Sequence, residues 1–79
     1  MIKAPFFSVH KDFAQEGPIY GHEELVGLTE AAAHAQFHTW MASAWASSDP
    51  WTMVYIDSDD GVRVKWDIVD RRTLPEVGV

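Results

Sequence analysis

Apolar and polar residues alternate near the start of the chain, in the stretch APFFSVHKDFAQ. From Phe7 onward every second side chain falls on one side of an extended backbone, which predicts a β-strand whose Phe7, Val9 and Phe13 face the core. The next stretch, IYGHEELVGL, alternates less regularly. We expect a second strand there, weakened by Gly21 and Gly27.

The stretch TEAAAHAQFHTWMASAWASSDP has the pattern of an amphipathic helix. Thr29 is a suitable N-cap, Glu30 places a negative charge in the first turn, and the alanines that follow favour helix. The helix is expected to end near Ser47, because Pro50 disfavours helical geometry at the residue before it. At about 100° per residue one stripe is predicted to face the core; it consists of Ala33, Phe37, Trp40, Met41 and Ala44.

The stretch WTMVYIDSDDGVRVKWDIV predicts a β-hairpin, with strands at Trp51–Ile56 and Val62–Val69 and the turn SDDG between them. The second strand alternates, and its two faces have different chemistry. The face expected to pack on the core contains Val62, Val64, Trp66 and Ile68, and the opposite face contains Arg63, Lys65 and Asp67.

The first strand of this hairpin is apolar on both faces, so the turn has to decide which face is buried. If Asp59 and Asp60 form a type I turn and Gly61 is the left-handed bulge residue, Ser58 pairs with Val62 and Val54 pairs with Trp66. A type I′ turn centred on Asp60 and Gly61 inverts the assignment. We favour the type I turn; it buries Thr52, Val54 and Ile56 and leaves Trp51, Met53 and Tyr55 outside, beside Arg63 and Lys65.

Together these elements predict an α+β fold in ββαββ order, a small antiparallel sheet with one helix packed on one face. The 79 residues are expected to form a single domain, residues 1–79, with a loose C-terminal tail at residues 72–79. No motif is specific enough to indicate a known family.

Charge and cysteine content narrow the classes of function. Six basic and twelve acidic residues give a net charge of -6, which argues against binding to a phosphate backbone and would suit a basic partner. Without cysteine there is no disulfide or thiolate metal site. No stretch resembles a signal peptide or a membrane span, so we expect a cytoplasmic protein that makes no membrane contact.

Four residues are weak candidates for metal ligands. Glu30, His34 and His38 follow one another at four-residue intervals along one edge of the predicted helix, and His22 is the candidate from outside it. We favour a structural role for the helix histidines and expect no cofactor, because two histidines at this spacing are common by chance. Ser8, His10 and Asp12 are the residue types of a hydrolytic triad, but an open strand face offers no oxyanion hole.

The outer sheet residues are the main candidates for function, because aromatic, Met and Arg side chains are typical of interface hot spots. The sequence thus predicts a non-enzymatic module that binds a protein partner, as inhibitors and adaptors of phages or mobile elements do. Self-association or coverage by the chain itself remain alternatives for this face. Two other hypotheses are a metal-responsive module built on the helix histidines and an acidic mimic of nucleic acid. The predicted partner-binding residues are Trp51, Met53, Tyr55, Arg63, Lys65 and, on the helix, Trp45.

Overall fold

The computed structural model of the protein describes residues 6–14 and 20–71. They form an antiparallel sheet of four strands in the order β2-β1-β3-β4, with one helix packed against it. The predicted α+β fold in ββαββ order is therefore confirmed. The elements are β1 (Phe7–Ala14), β2 (Tyr20–Leu28), α1 (Glu30–Ala46), β3 (Trp51–Ser58) and β4 (Arg63–Asp70).

The hydrophobic core lies between the helix and one face of the sheet. The central strands provide Val9, Val54 and Ile56, which are fully buried, and β4 adds Val69. The helix provides Ala33, Phe37, Met41 and Ala44, while Phe7, Leu28 and Trp40 pack around this cluster. The predicted helix stripe and the predicted inward face of β3 are both confirmed.

Helix α1 has the predicted N-cap and ends where the sequence predicts. The Thr29 side chain accepts a hydrogen bond of 3.2 Å from the Ala32 amide, and Glu30 lies in the first turn. The helix ends at Ala46, with Ser47 as its C-cap. No residue of the last turn is basic, but the Arg71 guanidinium donates hydrogen bonds to the carbonyl oxygens of Ala44 and Trp45 at 3.3 and 2.8 Å.

The turn between β3 and β4 has the conformation that the type I hypothesis requires. Gly61 has a φ of 84°, in the left-handed region that favours glycine. The Ser58 amide donates to the Val62 carbonyl at 2.8 Å, as predicted. The prediction that Val54 pairs with Trp66 is wrong, because Val54 pairs with Asp67.

A β-bulge one residue pair beyond the turn explains this difference. Ile56 pairs with Lys65 while Asp57 pairs with Arg63, so Val64 is an extra residue in β4. One extra residue exchanges the two faces of the strand from that point onward. The predicted core face is therefore wrong beyond the bulge, where Trp66 and Ile68 are exposed; Val62 and Val64, which were expected on the same face, are exposed as well.

Lys65 moves to the helix side of the sheet for the same reason. Its Nζ lies 5.1 Å from the centre of the Phe37 ring, which belongs to the buried face of α1. Its predicted position beside Tyr55 on the opposite face is therefore incorrect.

The described residues limit what can be said of two predictions. The expected loose tail at 72–79 lies outside them. Within residues 6–14 and 20–71, no helix combines the length and the apolar character needed to cross a membrane.

Candidate functional site

The sheet face opposite α1, called the outer face below, is the candidate functional surface. Strand pairing arranges its side chains in rows that run across the sheet. One row joins His22, Asp12, Met53 and Ile68, and the next joins Glu24, His10, Tyr55 and Trp66. Polar side chains therefore occupy the β1–β2 side of the outer face, and apolar ones the β3–β4 side.

The apolar half of the outer face consists of two cross-strand residue pairs and one neighbouring tryptophan. Met53 pairs with Ile68, and Tyr55 pairs with Trp66. Trp66 is 60% exposed and Ile68 is 39% exposed. Large apolar side chains thus meet solvent on a regular strand surface. We call this set the apolar band: Trp51, Met53, Tyr55, Trp66 and Ile68.

The polar half is a connected cluster around two histidines, called the histidine cluster below and made up of His10, His22, Glu24 and Asp12. Glu24 Oε1 lies 3.4 Å from His10 Nδ1 and 3.2 Å from His22 Nε2. The other nitrogen of His22, Nδ1, bonds to Asp12 Oδ1. The two imidazole rings have their centres 5.6 Å apart.

Asp12 connects this cluster to the apolar band. Its Oδ2 accepts a hydrogen bond of 3.0 Å from the Tyr55 hydroxyl, and the Tyr55 ring stacks on His10 with centres 4.8 Å apart. The hydrogen bond to Asp12, followed by that to Glu24, raises the pKa of His22 above its ordinary 6.5. Burial, followed by the hydrogen bond to Asp12, raises the pKa of Tyr55 above its ordinary 10.0.

Arg63 lies at the end of the outer face near the hairpin turn. Its Nε donates a hydrogen bond of 3.0 Å to Asp57 Oδ1, which raises the pKa of the guanidinium. The guanidinium carbon is 3.9 Å from the centre of the Tyr55 ring, a cation–π contact. Tyr55 is therefore held between His10 on one side and Arg63 on the other.

The structure brings together four of the six predicted partner-binding residues. Trp51, Met53, Tyr55 and Arg63 all lie on the outer face. Lys65 is on the helix side, as described above. Trp45 is 62% exposed, but it belongs to α1 and so lies in the other layer of the domain. Trp66 and Ile68 were missed as surface residues, because no feature of the alternating pattern signals the bulge.

The predicted set of metal-ligand candidates is not brought together. Among the described residues, the one group of three or more histidine or carboxylate side chains with converging donor atoms is His10, His22 and Glu24. His22 therefore meets His10 and not His34 or His38 of the helix. The sequence contains the residue types of this group, with His10 in one predicted strand and His22 and Glu24 in the next. Their proximity depends on the pairing register of the two strands, which the sequence does not reveal.

Ser8, His10 and Asp12 do not form a catalytic triad. Ser8 Oγ lies 2.8 Å from His10 Nε2, but Asp12 bonds to His22 and Tyr55. The carboxylate therefore orients a different histidine from the one beside the serine. The described residues contain no pocket.

Comparison with known proteins gives no match: no family model, no curated protein and no solved structure is significantly similar to this chain.

Proposed function

We propose that this protein is a non-catalytic binding module that docks a protein partner on its outer face. The observation that carries the proposal is the apolar band, in which Trp66 and Ile68 project from a regular strand away from the core and extend the surface formed by Met53 and Tyr55. Aromatic and Met side chains beside an Arg are the composition enriched at the centre of protein interfaces.

The ordered surroundings of Tyr55 support the same proposal. Its ring is held by His10 and Arg63, and its hydroxyl is bonded to Asp12. A side chain that is already fixed loses little conformational entropy when a partner binds, so more of the contact energy remains as affinity.

Charge favours a basic partner. The described outer face contains four carboxylates against one guanidinium, that of Arg63; the carboxylates are Asp12, Glu24, Asp57 and Asp70. The whole chain carries a net charge of -6. Docking a second copy would bring like charges together, whereas a partner with Lys and Arg around an apolar centre complements this face. The proposed occupant is therefore a different protein with a basic rim.

Two tryptophans of nearly equal exposure allow a matched test. Trp66, 60% exposed, lies in the apolar band, and Trp45, 62% exposed, lies on the helix. A partner captured from a lysate of the native host is purified and titrated by calorimetry against the wild type, Trp66→Ala and Trp45→Ala. We expect Trp66→Ala to weaken binding about 10-fold or more and Trp45→Ala to leave it unchanged, with affinity falling as salt is raised.

Two results would contradict this proposal. Equal losses for both tryptophan variants would show that the outer face is not the interface. A purified protein that sediments as a dimer, and becomes monomeric on Trp66→Ala, would identify a second copy as the occupant and overturn the proposal. Circular dichroism of both variants checks that each remains folded.

A further inference from the structure

We propose that His10, His22 and Glu24 form a binding site for a divalent zinc-class metal ion on the outer face. The site shares Glu24 and Asp12 with the charge argument for a basic partner, but it does not rest on the partner-binding proposal, because the apolar band supplies none of its donors. Each of the three residues offers one donor atom, a ring nitrogen or a carboxylate oxygen, and these atoms all lie within 4.8 Å of one another. The nitrogens that face Glu24 are His10 Nδ1 and His22 Nε2.

The separations of the donor atoms suit a small tetrahedral ion. Donors at about 2.0–2.1 Å from a tetrahedral zinc ion are about 3.3 Å apart. Glu24 Oε1 lies 3.4 Å from His10 Nδ1 and 3.2 Å from His22 Nε2. The donor set as a whole lies within 4.8 Å, so the two histidine rings must also move toward each other before all three donors bind one ion.

Groups on the far side of His10 suit metal binding at its Nδ1. A metal ion on Nδ1 requires the ring proton to be on Nε2. Ser8 Oγ lies 2.8 Å from Nε2 and Asp57 Oδ2 lies 3.9 Å from it, and both oxygens can accept that proton. The same ring then directs the Nδ1 lone pair toward Glu24, whose Oε1 is 3.4 Å away.

His22 is oriented in the complementary way. Its Nδ1 bonds to Asp12 Oδ1, and an ionised carboxylate only accepts, so Nδ1 carries a proton. Nε2 faces Glu24 Oε1 at 3.2 Å, and a metal ion bound at Nε2 displaces the proton that this nitrogen shares with Glu24 in the metal-free protein. A carboxylate behind a histidine ligand is the usual second layer of a zinc site, where it fixes the ring and raises its basicity. Asp12 is itself held by the Tyr55 hydroxyl.

The donor set selects the class of metal. Two imidazoles and one carboxylate suit zinc and its neighbours among the transition metals, whereas calcium and magnesium prefer sites made of oxygen alone. Three protein donors leave the remaining coordination position to water. His22 and Glu24 are partly exposed, so an ion reaches the site directly from solvent.

The test is a titration of the 79-residue chain with ZnCl₂ after EDTA treatment and dialysis. Binding is followed by calorimetry and by the imidazole NMR signals of the four histidines. We expect one ion per chain and shifts at His10 and His22, with the signals of His34 and His38 unmoved. MgCl₂ at the same concentration is expected to produce no shift.

Glu24 and its neighbour Glu23 allow a matched pair of variants to test the role of Glu24 as a ligand. Glu24 and Glu23 side chains are 51% and 53% exposed, but Glu23 lies 3.4 Å from Lys11 Nζ, away from the histidines. Glu24→Gln is expected to weaken zinc binding at least about 10-fold and Glu23→Gln to leave it unchanged; Asp12→Asn is expected to weaken it about 10–100-fold. The proposal is overturned by the absence of binding, by zinc shifts at the helix histidines, or by equal effects of the two glutamine variants.

Discussion

The Tyr55 hydroxyl donates a hydrogen bond of 3.0 Å to Asp12, the same carboxylate that orients His22. One side chain of β1 therefore joins residues of both neighbouring strands. Tyr55→Phe removes only this hydrogen bond and retains the ring between His10 and Arg63. We expect the variant to lose about 1 kcal/mol in free energy of unfolding, measured by urea denaturation. Tyr20→Phe, on an exposed residue, is the control, and an equal loss there would contradict the assigned role.

The metal-free protein is expected to show an elevated pKa at His22, caused first by Asp12 and then by Glu24. Because the folded pKa is raised above 6.5, the stabilisation that protonated His22 contributes is fully present below that pH and is lost as pH rises through the folded value. NMR titration of the imidazole signals in EDTA measures this pKa. Asp12→Asn should lower it, and an unchanged titration in that variant would show that Asp12 is not the main cause.

The fold could be predicted from the sequence because its signals are local. The Thr29 cap, the Pro50 stop and the alternation from Phe7 each act within a few residues, and the two elements that they predict, α1 and β1, form where expected. Gly61 likewise indicates the turn between β3 and β4, because this turn needs a residue with left-handed backbone geometry.

The outer face could be predicted only in part, because it depends on register. The extra residue Val64 exchanges the faces of β4 and brings Trp66 outward and Lys65 inward. The alternation of that strand favours the opposite arrangement, because Val64, Trp66 and Ile68 share one face of a strand without a bulge. The meeting of His10 with His22 similarly requires the β1–β2 register, which is a long-range property.

The Thr52 hydroxyl is buried on the helix side of the sheet. It is 2% exposed, and its Oγ1 has no hydrogen-bond partner among the described residues. Thr52→Val replaces this hydroxyl with a methyl group of similar size, so we expect a gain of about 1 kcal/mol in free energy of unfolding. Thr52→Ser retains the hydroxyl and removes the methyl, and should lose about 0.8 kcal/mol. A less stable valine variant would show that the hydroxyl has a partner in solution.

Arg71 substitutes for the basic residue that the last turn of α1 lacks. Its guanidinium donates hydrogen bonds to the carbonyls of Ala44 and Trp45 in the last turn and of Asp49 beyond it. The last carbonyls of a helix have no partner within the helix, although that of Ala44 also accepts from Ser47. Arg71→Ala is expected to lower the free energy of unfolding by about 1–2 kcal/mol, measured by thermal or urea denaturation. Arg71→Lys should retain only part of this stability, because a single ammonium group cannot bond to several carbonyls as the planar guanidinium does. Arg63→Ala, which removes an exposed ion pair, should cost about 0–1 kcal/mol; the opposite ranking would argue against the capping role.

Gly21 is required where the Phe13 ring crosses the neighbouring strand. The two residues are directly paired, and a Cβ at position 21 would overlap atoms of the Phe13 ring. Gly21→Ala must displace that ring from its half-buried position, so we expect a loss of about 1–3 kcal/mol in free energy of unfolding. Phe13→Ala removes the obstacle, so in the double variant the Gly21→Ala change should cost much less than it does alone. Purely additive losses would mean that β-propensity, and not the ring, makes glycine necessary here.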